Sequence, residues 1–222
     1  MHLVIAATEN EMKAFNIIDI DRRVPVHQLI SGVGPLETAV TVTRFIETHH
    51  RSITSVVNFG IGGAYISDQE EQIDLLDICV ADKEVLGDFG ICYGIRTTPF
   101  DKADFPAHAV FNLDKGLLAV AEAALIENNL SPHVGTFVTV NGSSGSTERG
   151  EFMRTTYQGI CENMEGAAIA RVCEEFNLPF LEVRAISNLV EDRPGPKWKI
   201  GQASEQAAQA AALIIRKFQK IP

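Results

Sequence analysis

Positive charge is scarce in this chain of 222 residues: 19 Lys and Arg stand against 29 Asp and Glu, a formal net charge of −10. Phosphate backbones and anionic lipids are bound through basic faces whose counterion release drives affinity. With no run of Lys or Arg the chain lacks that footprint, so neither nucleic acid nor a membrane surface is an expected partner. Two or three local residues suffice to hold a small anionic ligand. Cysteine is sparse as well. Cys79, Cys92, Cys161 and Cys173 form no C-x-x-C pair, which argues against a structural zinc site and a disulfide framework. Lying among apolar residues, all four read as buried, reduced thiols. The six histidines, His2, His27, His49, His50, His108 and His133, show no H-x-x-x-H spacing, so no metal is expected.

Long hydrophobic runs are missing. Nothing approaches the ~18–20 apolar residues of a membrane span. The opening MHLVIAATENEM has no basic leader, and its apolar run, Leu3 to Ala7, is too short for a signal h-region. The expected location is the cytoplasm. Familiar cofactor motifs are absent too. Gly32-x-Gly34 and Gly60-x-Gly62 begin a dinucleotide fingerprint, but Glu37 and Tyr65 occupy the third glycine positions. No Gly-Lys dipeptide exists for a P-loop. Gly142-Ser143-Ser144-Gly145-Ser146 misses the nucleophile elbow because it ends in Ser. No cofactor is expected.

What is present suits one sizeable core. Apolar residues make up 45% and charged residues 22%, near the globular average. Short apolar, β-branched runs (Leu3–Ala7, Val26–Ile30, Ser55–Phe59, Ile78–Ala81, His133–Val140 and Phe180–Ile186) predict strands covered on both faces. Between them, Pro35–His50, Lys115–Asn128, Glu165–Phe176 and Ala203–Phe218 carry helical periodicity. The alternation predicts an α/β fold with an at least partly parallel sheet. There is no linker or repeat, so residues 1–222 read as one domain. Gly87–Phe111, richer in Gly, Pro and aromatics, reads as an irregular excursion or a lid.

Ligands of α/β sheets gather where strands lead into helices. Five such junctions are polar or glycine-rich beyond the needs of a scaffold. They are Thr8-Glu9-Asn10-Glu11, Ser31-Gly32-Val33-Gly34, Asn58-Phe59-Gly60-Ile61-Gly62-Gly63, Asn141 to Ser146, and Ser187-Asn188-Leu189-Val190-Glu191-Asp192. Alone, Glu11 reads first as a first-turn helix glutamate favoured by the dipole. Asn163 reads as a helix N-cap with Glu165 in the first turn, and Ser187-Asn188 as an Asx-turn. Met164 and Glu165 together also suit a sugar, the thioether packing on the ring and the carboxylate accepting from two hydroxyls.

In combination these segments resemble the purine nucleoside phosphorylase and nucleosidase superfamily. The likeness is strongest at Asn163-Met164-Glu165-Gly166-Ala167-Ala168-Ile169-Ala170 and Arg184-Ala185-Ile186-Ser187-Asn188. Within the superfamily the chain most resembles the futalosine hydrolases, which release hypoxanthine from futalosine in menaquinone synthesis. The resemblance implies a three-layer α/β/α sandwich with a central mixed, largely parallel sheet. It also implies a homodimer or larger homo-oligomer, a nucleoside substrate and water as co-reactant. It gives Glu11 the activation of water, Met164 and Glu165 the ribose, and Ile61, Gly62, Thr139, Val140, Asn163 and Asn188 the base.

Two departures narrow the subfamily. Phosphorylases of this superfamily hold phosphate with arginines, one near the first loop; here Thr8 to Glu11 has no Arg and two carboxylates. A phosphate dianion would meet like charge, so hydrolysis is favoured over phosphorolysis. In the methylthioadenosine/S-adenosylhomocysteine nucleosidases the position of Asn188 holds Asp, which accepts from the 6-amino group and protonates N7. An Asn amide instead donates to a 6-oxo group and accepts from a protonated N7, which fits hypoxanthine. The Gly87–Phe111 excursion, with Phe89, Tyr93, Arg96, Phe100 and Phe105, is a candidate to receive the 5′ aromatic carboxylate of futalosine, although Arg96 reads first as a solvated surface arginine. The alternatives are an adenine-specific nucleosidase, a 6-oxopurine phosphorylase and a nucleoside-binding protein without catalysis.

Overall fold

Strand β1 (His2–Ala6) carries apolar side chains on both faces, and both are buried. Val4 and Ala6 enter one core cluster; Leu3 and Ile5 enter another on the opposite side. That two-sided burial is why the strand reads as a continuous apolar run instead of an alternating one. The computed structural model describes residues 1–20, 25–67, 72–100, 108–192 and 198–218. After β1 come α1 (Glu9–Asn16), β2 (Val26–Ile30), α2 (Pro35–His49), β3 (Ser55–Tyr65), β4 (Ile78–Leu86), β5 (Ile91–Tyr93), β6 (Arg96–Thr98) and β7 (Val110–Asn112). Then follow α3 (Lys115–Ile126), β8 (His133–Thr139), α4 (Thr147–Tyr157), β9 (Gly159–Asn163), α5 (Gly166–Glu175), β10 (Phe180–Val190) and α6 (Ile200–Phe218).

Helices α1, α3 and α6 cover one face of the sheet, packing Phe15, Leu125 and the alanine-rich side of α6 against β3, β4 and β10. Helices α2 and α5 cover the other through Val42, Ile46, Ile169 and Val172. The result is the expected three-layer α/β/α sandwich. Strands β2, β1, β3 and β10 pair in parallel, as do β4 with β8 and β8 with β9. Antiparallel pairing joins β10 to β4, β3 to β9 and β4 to β7. The sheet is mixed and largely parallel, as expected. Because β3 pairs with both β9 and β10, the strands β3, β10, β4, β8 and β9 close a circuit at one end of the sheet. Tyr65, Val138, Val140, Met153 and Val190 pack together there as a third, smaller cluster.

Several boundaries differ from the sequence reading. Gly60 to Gly63 and Ser187 to Val190, read as junction loops, continue β3 and β10, which stay in parallel register to Tyr65 and Val190. Pairing overrides the turn propensity of these residues because each strand supplies the other's ladder partners. The apolar pattern of the sequence gives no bounds for α1, α4 or β9. Cys92 is exposed whereas Cys79, Cys161 and Cys173 are buried, since Cys92 sits on the small β5–β6 hairpin outside the main sheet. Among the described residues no helix is long and apolar enough to cross a membrane.

Candidate active site

A cavity of about 310 Å³ opens at the closed end of the sheet, within the range of small-ligand sites. All five polar or glycine-rich junctions supply lining residues to it: Glu11, Val33, Gly62, Ser143 and Asn188 are one from each. Met164 and Glu165, at the mouth of α5, complete one wall. Residues at opposite ends of the chain, Glu11 and Asn188, thus face a common space.

Glu11 is placed by helix chemistry. Thr8 is the N-cap of α1 and its side chain accepts from the Glu11 N–H, while the Glu11 carboxylate reaches back to the cap, a complete capping box. Its Oε2 accepts from Thr8 N at 3.0 Å and from Thr8 Oγ1 at 2.6 Å, and its Oε1 accepts from Ile61 N at 3.1 Å. A carboxylate offers about four acceptor sites. Among the described residues three are filled, and the fourth, on Oε1, has no donor. Glu11 is thus at once a first-turn helix glutamate and a lining residue of the cavity. Gly60 makes the approach possible: a Cβ there would stand 2.6 Å from Glu11 Oε1 and 2.9 Å from Arg184 Nη1. Gly60→Ala is expected to displace the carboxylate and lower turnover at least ~10-fold, at about 1–3 kcal/mol in stability. Steady-state kinetics beside a denaturant titration checks this, and unchanged turnover would contradict it.

Asn188 is aimed by a β-bulge. Ile186 pairs with Gly62 and Asn188 with Gly63, so Ser187 is an extra residue in β10. Bulges re-aim side chains in this way beside active sites; here Ser187 and Asn188 both reach the cavity. Ser187 Oγ donates to Asn188 Oδ1 at 2.8 Å and Asn188 Nδ2 donates to Leu189 O at 3.2 Å. These bonds fix the amide and, among the described residues, leave one N–H and one lone pair by count.

Glu165 occupies the N-cap position of α5 and makes no capping bond. Its Oε1 instead accepts from Gly34 N at 3.1 Å and its Oε2 from Arg184 Nη2 at 3.1 Å. Gly34 has a φ of 89°, which glycine adopts without strain and which turns its N–H toward Glu165. Asn163 caps the helix from outside: its Oδ1 accepts from Glu165 N at 2.9 Å and Gly166 N at 2.8 Å. The sequence reading put the N-cap at Asn163, two residues early.

Ile61, Gly62 and Asn163 line the cavity as well. Thr139 and Val140 do not. The Thr139 hydroxyl accepts from Ala167 N at 2.8 Å and lies 2.8 Å from Glu84 Oε2 and 3.0 Å from Asn163 Oδ1, which turns it toward α5. Val140 packs into the third cluster. Phe89, Tyr93, Arg96 and Phe100 also lie outside the lining, on or beside the β5–β6 hairpin, and Phe105 lies outside the described residues. Trp198 and Ile200, at the start of α6, line the cavity instead.

Sequence reasoning assigned no role to Arg184 or Glu162. Arg184 is fully buried, donating to Glu182 Oε1 at 2.8 Å, Ile61 O at 3.1 Å and Glu165. Burial alone disfavours its charge, but Glu182, Glu165 and Glu11 outweigh that and hold the guanidinium charged. Glu162 accepts from Ser144 N at 2.8 Å, Ser144 Oγ at 2.5 Å and Tyr65 OH at 3.3 Å, ordering the Ser143–Ser144 turn. The available signal was a Glu and an Arg two residues apart inside an apolar strand, Phe180-Leu181-Glu182-Val183-Arg184, which alternation puts on one face. Among the described residues no group of three or more His, Cys, Asp or Glu is placed to share a metal ion.

Comparison with known proteins follows the same lines. A 5′-methylthioadenosine/S-adenosylhomocysteine nucleosidase from Staphylococcus saprophyticus is 29% identical over 196 residues, covering 86% of this chain and 79% of that protein. A Helicobacter pylori 5′-methylthioadenosine/S-adenosylhomocysteine nucleosidase crystallised with 5′-methylthioadenosine superposes with a TM-score of 0.80 at 18% identity, covering 96% of this chain and 97% of that one. The futalosine hydrolase of Helicobacter pylori superposes with a TM-score of 0.81 at 18% identity, covering 96% of each chain. The sequence profile of the Phosphorylase superfamily matches residues 5–220. The chain belongs to the Phosphorylase superfamily.

Proposed function

We propose that this protein is a hydrolase that cleaves the N-ribosidic bond of a purine nucleoside, with futalosine as substrate and hypoxanthine as the released base. The observation that carries the reading is the convergence of Glu11, Glu165 and Asn188 on one cavity, with Met164 between them in its wall. Breaking the bond between C1′ and the base nitrogen builds positive charge on the sugar and negative charge on the base, as in glycoside hydrolysis. Water fills the free acceptor site of Glu11 Oε1, loses a proton to it and attacks C1′. Glu165 accepts from the ribose hydroxyls while Met164 packs on the ring. The bond electrons leave with the base and delocalise onto its 6-oxo oxygen, where the Asn188 amide donates.

Hydrolysis is favoured over phosphorolysis by charge. Among the described residues, Glu11, Glu162 and Glu165 line the cavity against one cation, Arg184, whose donors are committed to Glu182, Glu165 and Ile61 O. A phosphate dianion would enter among these carboxylates and meet no free guanidinium among the described lining residues. Base release from a 6-oxopurine riboside is expected to proceed in phosphate-free buffer, to give free ribose and to be indifferent to added phosphate. Chromatography of the products checks this; release only with phosphate, as a sugar phosphate, would overturn it.

A second reading has the broader support among the comparisons: the Staphylococcus relative at 29% identity and the Helicobacter pylori structure holding 5′-methylthioadenosine are both methylthioadenosine/S-adenosylhomocysteine nucleosidases by name. On that reading Asn188 would face a 6-amino group, with which its amide pairs only through Oδ1 and leaves N7 without a proton donor.

A further inference from the structure

Two carboxyl groups that touch no lining residue's ligand face meet behind the cavity. Glu84 on β4 and Glu182 on β10 are fully buried. The extra residue Asp82 in β4, seen as the register shift between Ala81 and Lys83 against β8, resets side-chain alternation so that Glu84 points inward. Both carboxyls converge on the bare Cα of Gly166, where a Cβ would lie 2.1 Å from Glu182 Oε2 and 2.1 Å from Glu84 Oε1.

The surroundings of the two groups differ. Glu182 Oε1 accepts from Asn58 Nδ2 at 3.1 Å and Arg184 Nε at 2.8 Å, with Arg184 Nη2 2.7 Å away. Glu84 meets only neutral donors, Asn163 Nδ2 at 2.6 Å on Oε1 and Thr139 Oγ1 at 2.8 Å on Oε2. The guanidinium therefore lies against Glu182 and not against Glu84. Among the described residues, Glu182 Oε2 is a buried oxygen with no donor, a costly state unless a proton is supplied. The neighbouring carboxyl is the group that can supply it.

We propose that Glu84 is a positioning residue held as a neutral acid, donating its proton to Glu182 Oε2 and receiving the Asn163 amide, so that one buried pair braces both walls of the site. On one side the pair fixes Asn163, whose Oδ1 caps α5 and sets Met164 and Glu165. On the other it holds Arg184 against Glu165 Oε2. The bracing of catalysis rests on the function proposed above; the shared proton does not. Burial first, and then the charge and hydrogen bond of Glu182, push the Glu84 carboxyl well above its usual value of 4.5. The other titratable groups facing the pair are Arg184 from β10 and the buried Cys161 thiol from β9.

The sign of the pH effect follows. Above pH 4.5 the unfolded Glu84 is ionised, whereas the folded one is protonated up to its raised pKa. Folding then takes up a proton, and the contribution is lost as pH rises, about tenfold in the folding constant per pH unit. The test is infrared spectroscopy at pH 7 together with denaturant unfolding from about pH 6 to 8, on the wild type and Glu84→Gln. Expected are a protonated-carboxyl carbonyl band in the wild type that Glu84→Gln lacks, and a wild-type folding constant that falls about tenfold more per pH unit than the variant's. Parallel pH slopes, or no such band in the wild type, would overturn the proposal, and the wild-type spectrum decides even if the variant fails to fold. Neither measurement needs substrate, so absent turnover would count against the proposed function and not against the pair.

Discussion

Glu11→Gln is expected to lower turnover by ~10²–10⁴-fold, the usual contribution of a general base, or about 3–5 kcal/mol of barrier. The amide keeps the size of the carboxylate but cannot take a proton from water. It also turns one acceptor into a donor, so either Thr8 N or Ile61 N, both bonded to Glu11 now, loses its partner. That costs about 1–3 kcal/mol of stability, a fall of several degrees in melting temperature for a chain of this size. A loss of that order leaves the fold populated at 25 °C, so it cannot account for a hundredfold fall in rate. The expected pattern is a large drop in kcat with hypoxanthine binding little changed. Near-normal turnover would remove Glu11 from the mechanism.

Asn188→Asp is expected to move preference from 6-oxo toward 6-amino purines, raising the ratio of kcat/KM for the adenine nucleoside over the hypoxanthine one by at least ~10²-fold. A polar mismatch in a desolvated site discriminates by up to about 10⁴–10⁵, so this one amide can carry most of the base specificity. The bulge that aims residue 188 depends on backbone pairing, and Ser187 Oγ can donate to a carboxylate as it does to Asn188 Oδ1. The carboxylate gives up the bond to Leu189 O but keeps the bulge and the Ser187 donor, so the chemistry changes while residue 188 stays in the cavity wall. Unchanged preference, measured with both nucleosides under one set of conditions, would discard the role of the amide.

How much of this could be read from the sequence follows from the range of the interactions involved. Glu11, Met164, Glu165 and Asn188 were legible because each lies where an apolar run gives way to polar residues. Their common orientation was not, since it depends on the bulge at Ser187 and on the capping box at Thr8. The box itself is visible in the sequence as Thr8-x-x-Glu11 and marks the start of α1. Helix α4 gave little signal because only Gly150 and Met153 of it are buried. Gly60 to Gly63 misled in the other direction: glycines that suit a turn serve here as strand residues making room for Glu11, Arg184 and Cys161. Glu84, Glu182 and Arg184 are far apart in the chain or hidden in apolar strands, and only sheet order brings them together. The aromatic excursion was given a ligand because of its composition. Its described part forms a hairpin with Ile91, Cys92 and Tyr93 exposed, away from the cavity.

The most direct measurement compares kcat/KM for futalosine and methylthioadenosine in phosphate-free buffer, with the released base identified by chromatography. Hypoxanthine release from futalosine, favoured by at least ~10²-fold over adenine release from methylthioadenosine, is the predicted result. Efficient adenine release with futalosine left intact would contradict it.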